Sequence, residues 1–177
     1  AGAVLMFHHV RPTVPGAFAP NAHLEVTPAF LRTAVRLVRQ KGMDIVDLDE
    51  AKRRLAEGDG RRFCVITFDD GYRDNLTHAA PILARLGLPA TIFLATGFIG
   101  TAEVPWFDRL AQGCKKSTLD AVHTPWGEDL DLGSVAVRLH AMARTLDRFK
   151  RLPDEGRRRD LDALLTAIEV LEGCPLI

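Results

Sequence analysis

Apolar and polar positions follow two regimes along this chain, and the change falls near residue 100. Ala3 to Val10 is an apolar run ending in His8-His9-Val10 and predicts a first buried strand. Residues 11–22 carry three prolines and a glycine and read as a loop. Thr27-Pro28 then predicts a helix start, with Thr as N-cap and Pro at the first helical position. Phe30, Leu31, Ala34, Leu37 and Val38 make one apolar face of that helix, and Gly42 ends it. Asp44–Asp47 is a short strand, and Asp49–Glu57 a short helix closed by Gly58. Cys64–Phe68 is unbroken and apolar, as a strand covered on both faces should be. Ala79, Ile82, Leu83 and Leu86 share a face of the next helix, with Thr77 as its expected cap so that Pro81 falls in the first turn. Gly87-Leu88-Pro89 breaks it, and Ala90–Ala95 reads as another buried strand.

The β-α-β-α-β-α-β order predicts parallel strands joined by crossover helices, an α/β fold, over residues 1–100. Residues 101–177 show no strand pattern. Val135, Leu139, Met142, Leu146 and Phe149 repeat at helical spacing, as do Leu161, Leu164, Leu165, Ile168 and Leu171. Two amphipathic helices joined by residues 151–156 are expected there. Four parallel strands leave open edges. Either the helical tail shields one, or the chain is the first half of a larger barrel.

Composition narrows the function. The 177 residues are 47% hydrophobic, and 23 basic side chains balance 23 acidic ones. That balance argues against nucleic acid or an acidic membrane as partner. Cys64, Cys114 and Cys174 are too few and too far apart for a disulfide framework or a zinc knuckle. No run approaches the roughly 20 apolar residues of a membrane span. No secretory signal is visible, yet the chain starts at Ala1 rather than Met. Cell envelope, periplasm and cytoplasm all stay open.

The chemistry concentrates at Phe68-Asp69-Asp70-Gly71, where the Cys64–Phe68 strand ends. Two adjacent carboxylates repel, and one pKa rises unless a cation neutralises them. A divalent metal on one carboxylate, with the other free as a base, resolves the conflict and makes a site. Gly71 permits the sharp turn that follows.

Thr67-Phe68-Asp69-Asp70-Gly71-Tyr72, then a helix, then Gly87-Leu88-Pro89-Ala90-Thr91-Ile92-Phe93-Leu94, resembles the polysaccharide deacetylase family, the NodB-homology group or carbohydrate esterase family 4. Leu5-Met6-Phe7-His8-His9-Val10 is similar to the first strand of some members. Trp106-Phe107-Asp108-Arg109-Leu110, with the helical stretch after it, is similar to an insertion found in others. The resemblance implies a distorted (β/α) barrel, here the N-terminal part over residues 1–100 with a helical insert over 101–177. It implies a hydrolase that removes N- or O-acetyl groups from polysaccharides or oligosaccharides. By the same resemblance Asp69 is the general base and Asp70 a ligand of a divalent metal, usually zinc. Two histidines of a His-(Ser/Thr)-x-x-His motif would complete the metal site.

That histidine motif is missing. The nearest segment, His123-Thr124-Pro125-Trp126-Gly127, has Gly where the second histidine belongs. The expectation is a fragment that ends before its second metal motif, in which Asp70 alone holds zinc weakly. His8, at a strand end, is a candidate to line the site, as is Gly71. Trp106 either stacks on sugar or packs the insert. Asp74 and Asn75 read as helix caps, His78 and His140 as surface or packing residues. Arg157-Arg158-Arg159 reads as a solvated face and Cys64 as a small core residue. A second reading is a non-catalytic carbohydrate-binding or protein-interaction module on the same scaffold. A carboxylate-pair glycosidase is disfavoured, because adjacent residues on one strand do not flank a glycosidic bond from both sides.

Overall fold

A computed structural model describes residues 1–13, 18–58 and 60–168. They fall into two compact units, one of residues 1–13 and 22–100, the other of 18–21 and 101–168.

The first unit is built on a parallel sheet. Strands β1 (Gly2–Phe7), β4 (Asp44–Ile45) and β6 (Thr91–Ile92) all pair with the central β5 (Phe63–Phe68). β1 runs beside β5 over its whole length, from Gly2 opposite Phe63 to Phe7 opposite Phe68. β4 pairs with the start of β5 and β6 with its end. All six residues of β5 are buried, five of them apolar and the sixth Thr67. Helix α1 (Pro28–Gln40) begins where expected: Thr27 Oγ1 accepts from Phe30 N at 3.0 Å, and Pro28 needs no partner for an N–H it lacks. Asp47 caps α2 (Leu48–Glu57) in the same way through Glu50 N at 2.8 Å.

Alternation along β5 sorts its side chains between two cores. Ile66 and Phe68, with Phe7 of β1, pack on Leu31 and Val35 of α1 and on Ile82 and Leu83 of α3 (Ala80–Arg85). Phe63 and Val65 face the other way, onto Val46 and onto Ala51 of α2.

Several expectations need correction. The first apolar run is two strands, β1 and then β2 (His9–Val10), which pairs with β3 (Glu25–Val26), a strand too short to leave a pattern. The helix after β5 does not start at Thr77. A π-helical segment, Asn75–Ala79, leads directly into α3. That wider turn accommodates Pro81, whose ring would clash with the carbonyl four residues back in a regular α-helix. Residues 90–95 are not a buried strand: only Thr91 and Ile92 join the ladder, and Ile92, Phe93 and Leu94 are 43%, 52% and 57% exposed. No described strand covers the far side of β6. The chain is mixed α/β, but the sheet is open among the described residues; a closed barrel is not seen.

The second unit is not purely helical. Helix α4 (Trp106–Lys116) is followed by an antiparallel hairpin, β7 (Ala121–His123) and β8 (Asp129–Asp131), then by α5 (Val135–Lys150) and α6 (Asp154–Ala167). Its core joins Leu110 and Cys114 of α4, Val122 and Leu130 of the hairpin, Met142 and Phe149 of α5, and Leu161 and Leu164 of α6. Arg138 ties the layers together: its guanidinium donates to the carbonyls of Cys114, Ser117, Leu119 and Leu132 at 2.7–3.4 Å. Leu171, expected to extend the last helix, lies outside the described residues, as do Cys174 and Pro175–Ile177.

Candidate active site

The site forms where β5 ends beside β1. Asp69 N donates to Phe7 O at 2.9 Å, so the first carboxylate leaves the sheet anchored to the neighbouring strand. Alternation puts Asp69 on the same face as Thr67, and a pocket of about 580 Å³ opens there. Val4, Met6, Phe93 and Leu94 make its apolar walls, and Asp69 and Asp70 are its charged groups. Both aspartates are half-buried.

The turn that presents them is strained. Asp70 has φ +68°, the one described residue other than glycine in the left-handed region, and Gly71 follows at φ +76°. A left-handed residue with a Cβ costs roughly 1–2 kcal/mol. Strain of this kind persists where the surroundings over-determine it. Here Phe93 N donates to Phe68 O at 2.8 Å and Ala95 N to Asp70 O at 3.5 Å, lacing the turn to the chain beyond β6. Gly71 is needed twice over: for its φ, and because a Cβ there would lie 2.6 Å from Leu94 Cδ2.

The next residues close the turn from the other side. His9, 6% exposed, donates from Nδ1 to Asp74 Oδ2 at 2.7 Å. Val10 N donates to Asp74 Oδ1 at 3.1 Å, and the His9 ring lies 3.7 Å from the Tyr72 ring, centroid to centroid. The Asp69–Gly71 turn is therefore held between β1 on one side and the His9–Asp74 pair on the other. This overturns the reading of Asp74 as a helix cap, since its side chain makes no capping bond. Asn75 does not cap either. It is 2% exposed, and neither polar atom of its amide has a hydrogen-bond partner. Sequence reasoning favoured His8 over His9. His8 is half-buried between β1 and β2, whereas His9 is the histidine locked into the turn.

Other candidates sit in the second unit. Trp106 packs edge-on against Phe107 and near Phe149, with the Arg157 guanidinium 5.1 Å from its ring centroid. Arg157 is thus no simple solvated residue, although Arg158 and Arg159 are exposed. His123 lies on β7, where no strand was expected, and pairs with Asp129 at 2.7 Å on the surface. No three His, Cys, Asp or Glu side chains converge to hold a metal among the described residues. Burial raises the thiol pKa values of Cys64 and Cys114, the latter to about 11, so both behave as core residues.

The profile of polysaccharide deacetylases matches residues 56–156, a span that contains the Asp69-Asp70 turn and continues through the hairpin into α6. The chain belongs to the polysaccharide deacetylase family. A relative is YxkH of Bacillus subtilis (strain 168), named as a candidate polysaccharide deacetylase; it is 28% identical over 99 residues, 55% of this chain and 33% of that protein. This family member therefore spans a third of the length of the curated relative it matches. Among solved structures, IcaB from Ammonifex degensii is 23% identical with a TM-score of 0.49, over 62% of this chain and 46% of its own. The Streptococcus pyogenes deacetylase PplD, solved with acetate, is 22% identical at 0.47, over 62% and 50%. A de-N-acetylase from Aggregatibacter actinomycetemcomitans is 17% identical at 0.47, over 73% and 61%.

Proposed function

We propose that the Asp69–Asp70 turn is the acid–base element of a metal-dependent deacetylase acting on an acetylated polysaccharide or oligosaccharide. The observation that carries this reading is the pair of adjacent carboxylates on a pinned, strained turn at an apolar pocket. Asp69 is the general base: it takes the proton of the water that adds to the acetyl carbonyl. Asp70 is the carboxylate offered to a divalent cation, with zinc the first choice. Phe93 and the aliphatic wall beside it suit the apolar face of a sugar ring and an acetyl methyl group. In this reading Asp70 is one ligand of the metal, and the described residues do not complete the ligand set.

The test uses the intact gene product with zinc, and measures acetate released from N-acetylated chito-oligosaccharides and from O-acetylated xylan. Asp69→Asn is expected to lower kcat by about 10²–10⁴-fold while leaving bound zinc unchanged. Asp70→Asn is expected to lose zinc and activity together. Full activity in either variant sinks the assignment. Glycan binding without acetate release, unchanged by both substitutions, would instead identify a carbohydrate-binding module.

A further inference from the structure

A second surface of the first unit has no role in that chemistry. No carboxylate occurs between Glu25 and Asp44, or between Asp74 and Glu103, in a chain whose charges otherwise balance. Those two stretches fold into α1 and into the π segment with α3, which pack together. Between them lies a groove of about 590 Å³. Arg32, Arg36 and Arg39 line it from α1, at the spacing of one helical stripe, and Arg85 lines it from α3. Its floor includes Val35 and Ile82, both buried in the core. Arg39 Nη2 reaches across to Leu86 O at 3.4 Å.

Several arginines elsewhere are matched, Arg54 with Glu50 and Asp44, Arg144 with Glu128, Arg148 with Asp160 and Arg158 with Asp154, but none of these shares a groove with three others that lack a carboxylate. The four groove arginines are exposed and have no carboxylate partner among the described residues. A plain solvated face would carry both signs and would not be concave with an apolar floor.

We propose that this groove docks an acidic amphipathic segment of a protein partner. Its carboxylates would pair with the four guanidiniums, whose planar forks suit them, and its apolar side chains would meet Val35 and Ile82. A bilayer surface is too flat to enter the groove. A nucleic-acid backbone offers no apolar side to its floor. The inference is independent of the deacetylase reading.

The experiment is fluorescence anisotropy of the full chain with a labelled helical peptide of about 16 residues, bearing one leucine stripe flanked by glutamates. Saturable binding in the micromolar range is expected, weakening with salt. Arg32→Glu with Arg36→Glu, or Arg85→Glu alone, should each weaken it by about tenfold or more. Lys52→Glu, on an exposed position of α2, should leave it unchanged. Circular dichroism checks that each variant is folded, and Arg36→Gln repeats the test without introducing a negative charge. Absence of saturation overturns the proposal. So does equal binding of a scrambled peptide of the same composition, or of polyphosphate or phosphatidylglycerol vesicles with the same arginine dependence. Those outcomes would mark a general polyanion surface.

Discussion

Asp70 and Gly71 hold consecutive left-handed conformations, and only the second residue does so without a Cβ penalty. Replacing Asp70 by Gly removes that penalty together with the carboxylate. The expected result is a chain more stable by about 1 kcal/mol in urea unfolding, with metal affinity and any deacetylase activity lost. A destabilised Asp70→Gly chain would mean the carboxylate, not the backbone, dominates the turn. Gly71→Ala goes the other way, adding strain at φ +76° and a contact 2.6 Å from Leu94 Cδ2. A loss of more than about 1 kcal/mol is expected, and Leu94→Ala should restore the steric share but not the backbone share. Asp69, Asp70 and Gly71 were legible in the sequence because an apolar strand followed by two acids and a glycine is a local pattern. The His9–Asp74 pair was not, because its members stand 65 residues apart and only the β1–β5 register brings them together. Asp74→Ala strips the partner from the buried His9 ring and from Val10 N, which should cost about 2–3 kcal/mol. A double-mutant cycle with His9→Ala should return a coupling above about 0.5 kcal/mol; additive effects would reduce the pair to coincidental neighbours.

At the level of elements, caps and apolar stripes were readable, whereas short and irregular pieces were not. Thr27-Pro28 and the Val135–Phe149 stripe mark α1 and α5 because each is local and repeated. The β7–β8 hairpin escaped detection since each strand has three residues and buries only the middle one, Val122 or Leu130. Charge also fixes elements to one another. Arg54, buried at the edge of the sheet, joins Glu50 within α2 to Asp44 on β4 at 2.7 and 2.8 Å. Hydrogen bonds from Arg53 and then Arg54 hold the Glu50 carboxyl down at about 2, against an ordinary 4.5. A depressed carboxylate contributes stability above its unfolded pKa and loses it as pH falls through the folded one. The contribution of Glu50 should thus be complete above about pH 4.5 and fade toward pH 2. Glu50→Gln is expected to lower the melting temperature at pH 7 and to flatten its decline across that window. Parallel acid profiles for the two chains would remove Glu50 from the account.

The largest departure from expectation belongs to the whole sheet. Buried parallel strands were foreseen, and β5 is one, because α1 and α3 cover one face and α2 covers the start of the other. Beyond the reach of α2 that second face is uncovered among the described residues: Val4 and Met6 of β1 are 60% and 59% exposed, and Phe93 and Leu94 extend the same apolar pocket wall. Composition predicts that such residues want burial, but sequence alone does not say which neighbour provides it. Exposed contiguous apolar surface of this kind marks a contact site or an aggregation liability, and an uncovered parallel strand edge adds pairing capacity. The chain as it stands should bind a hydrophobic dye such as ANS and scatter light increasingly with concentration. Val4→Thr with Met6→Lys should reduce both signals and change the unfolding free energy by less than about 1 kcal/mol, since neither side chain reaches either core. A clear loss of stability would show that this face is covered in solution. Applied to the intact gene product, the same substitutions separate two architectures. They should destabilise it by about 2–5 kcal/mol if further strands close over Val4 and Met6, and do nothing if the sheet stays open.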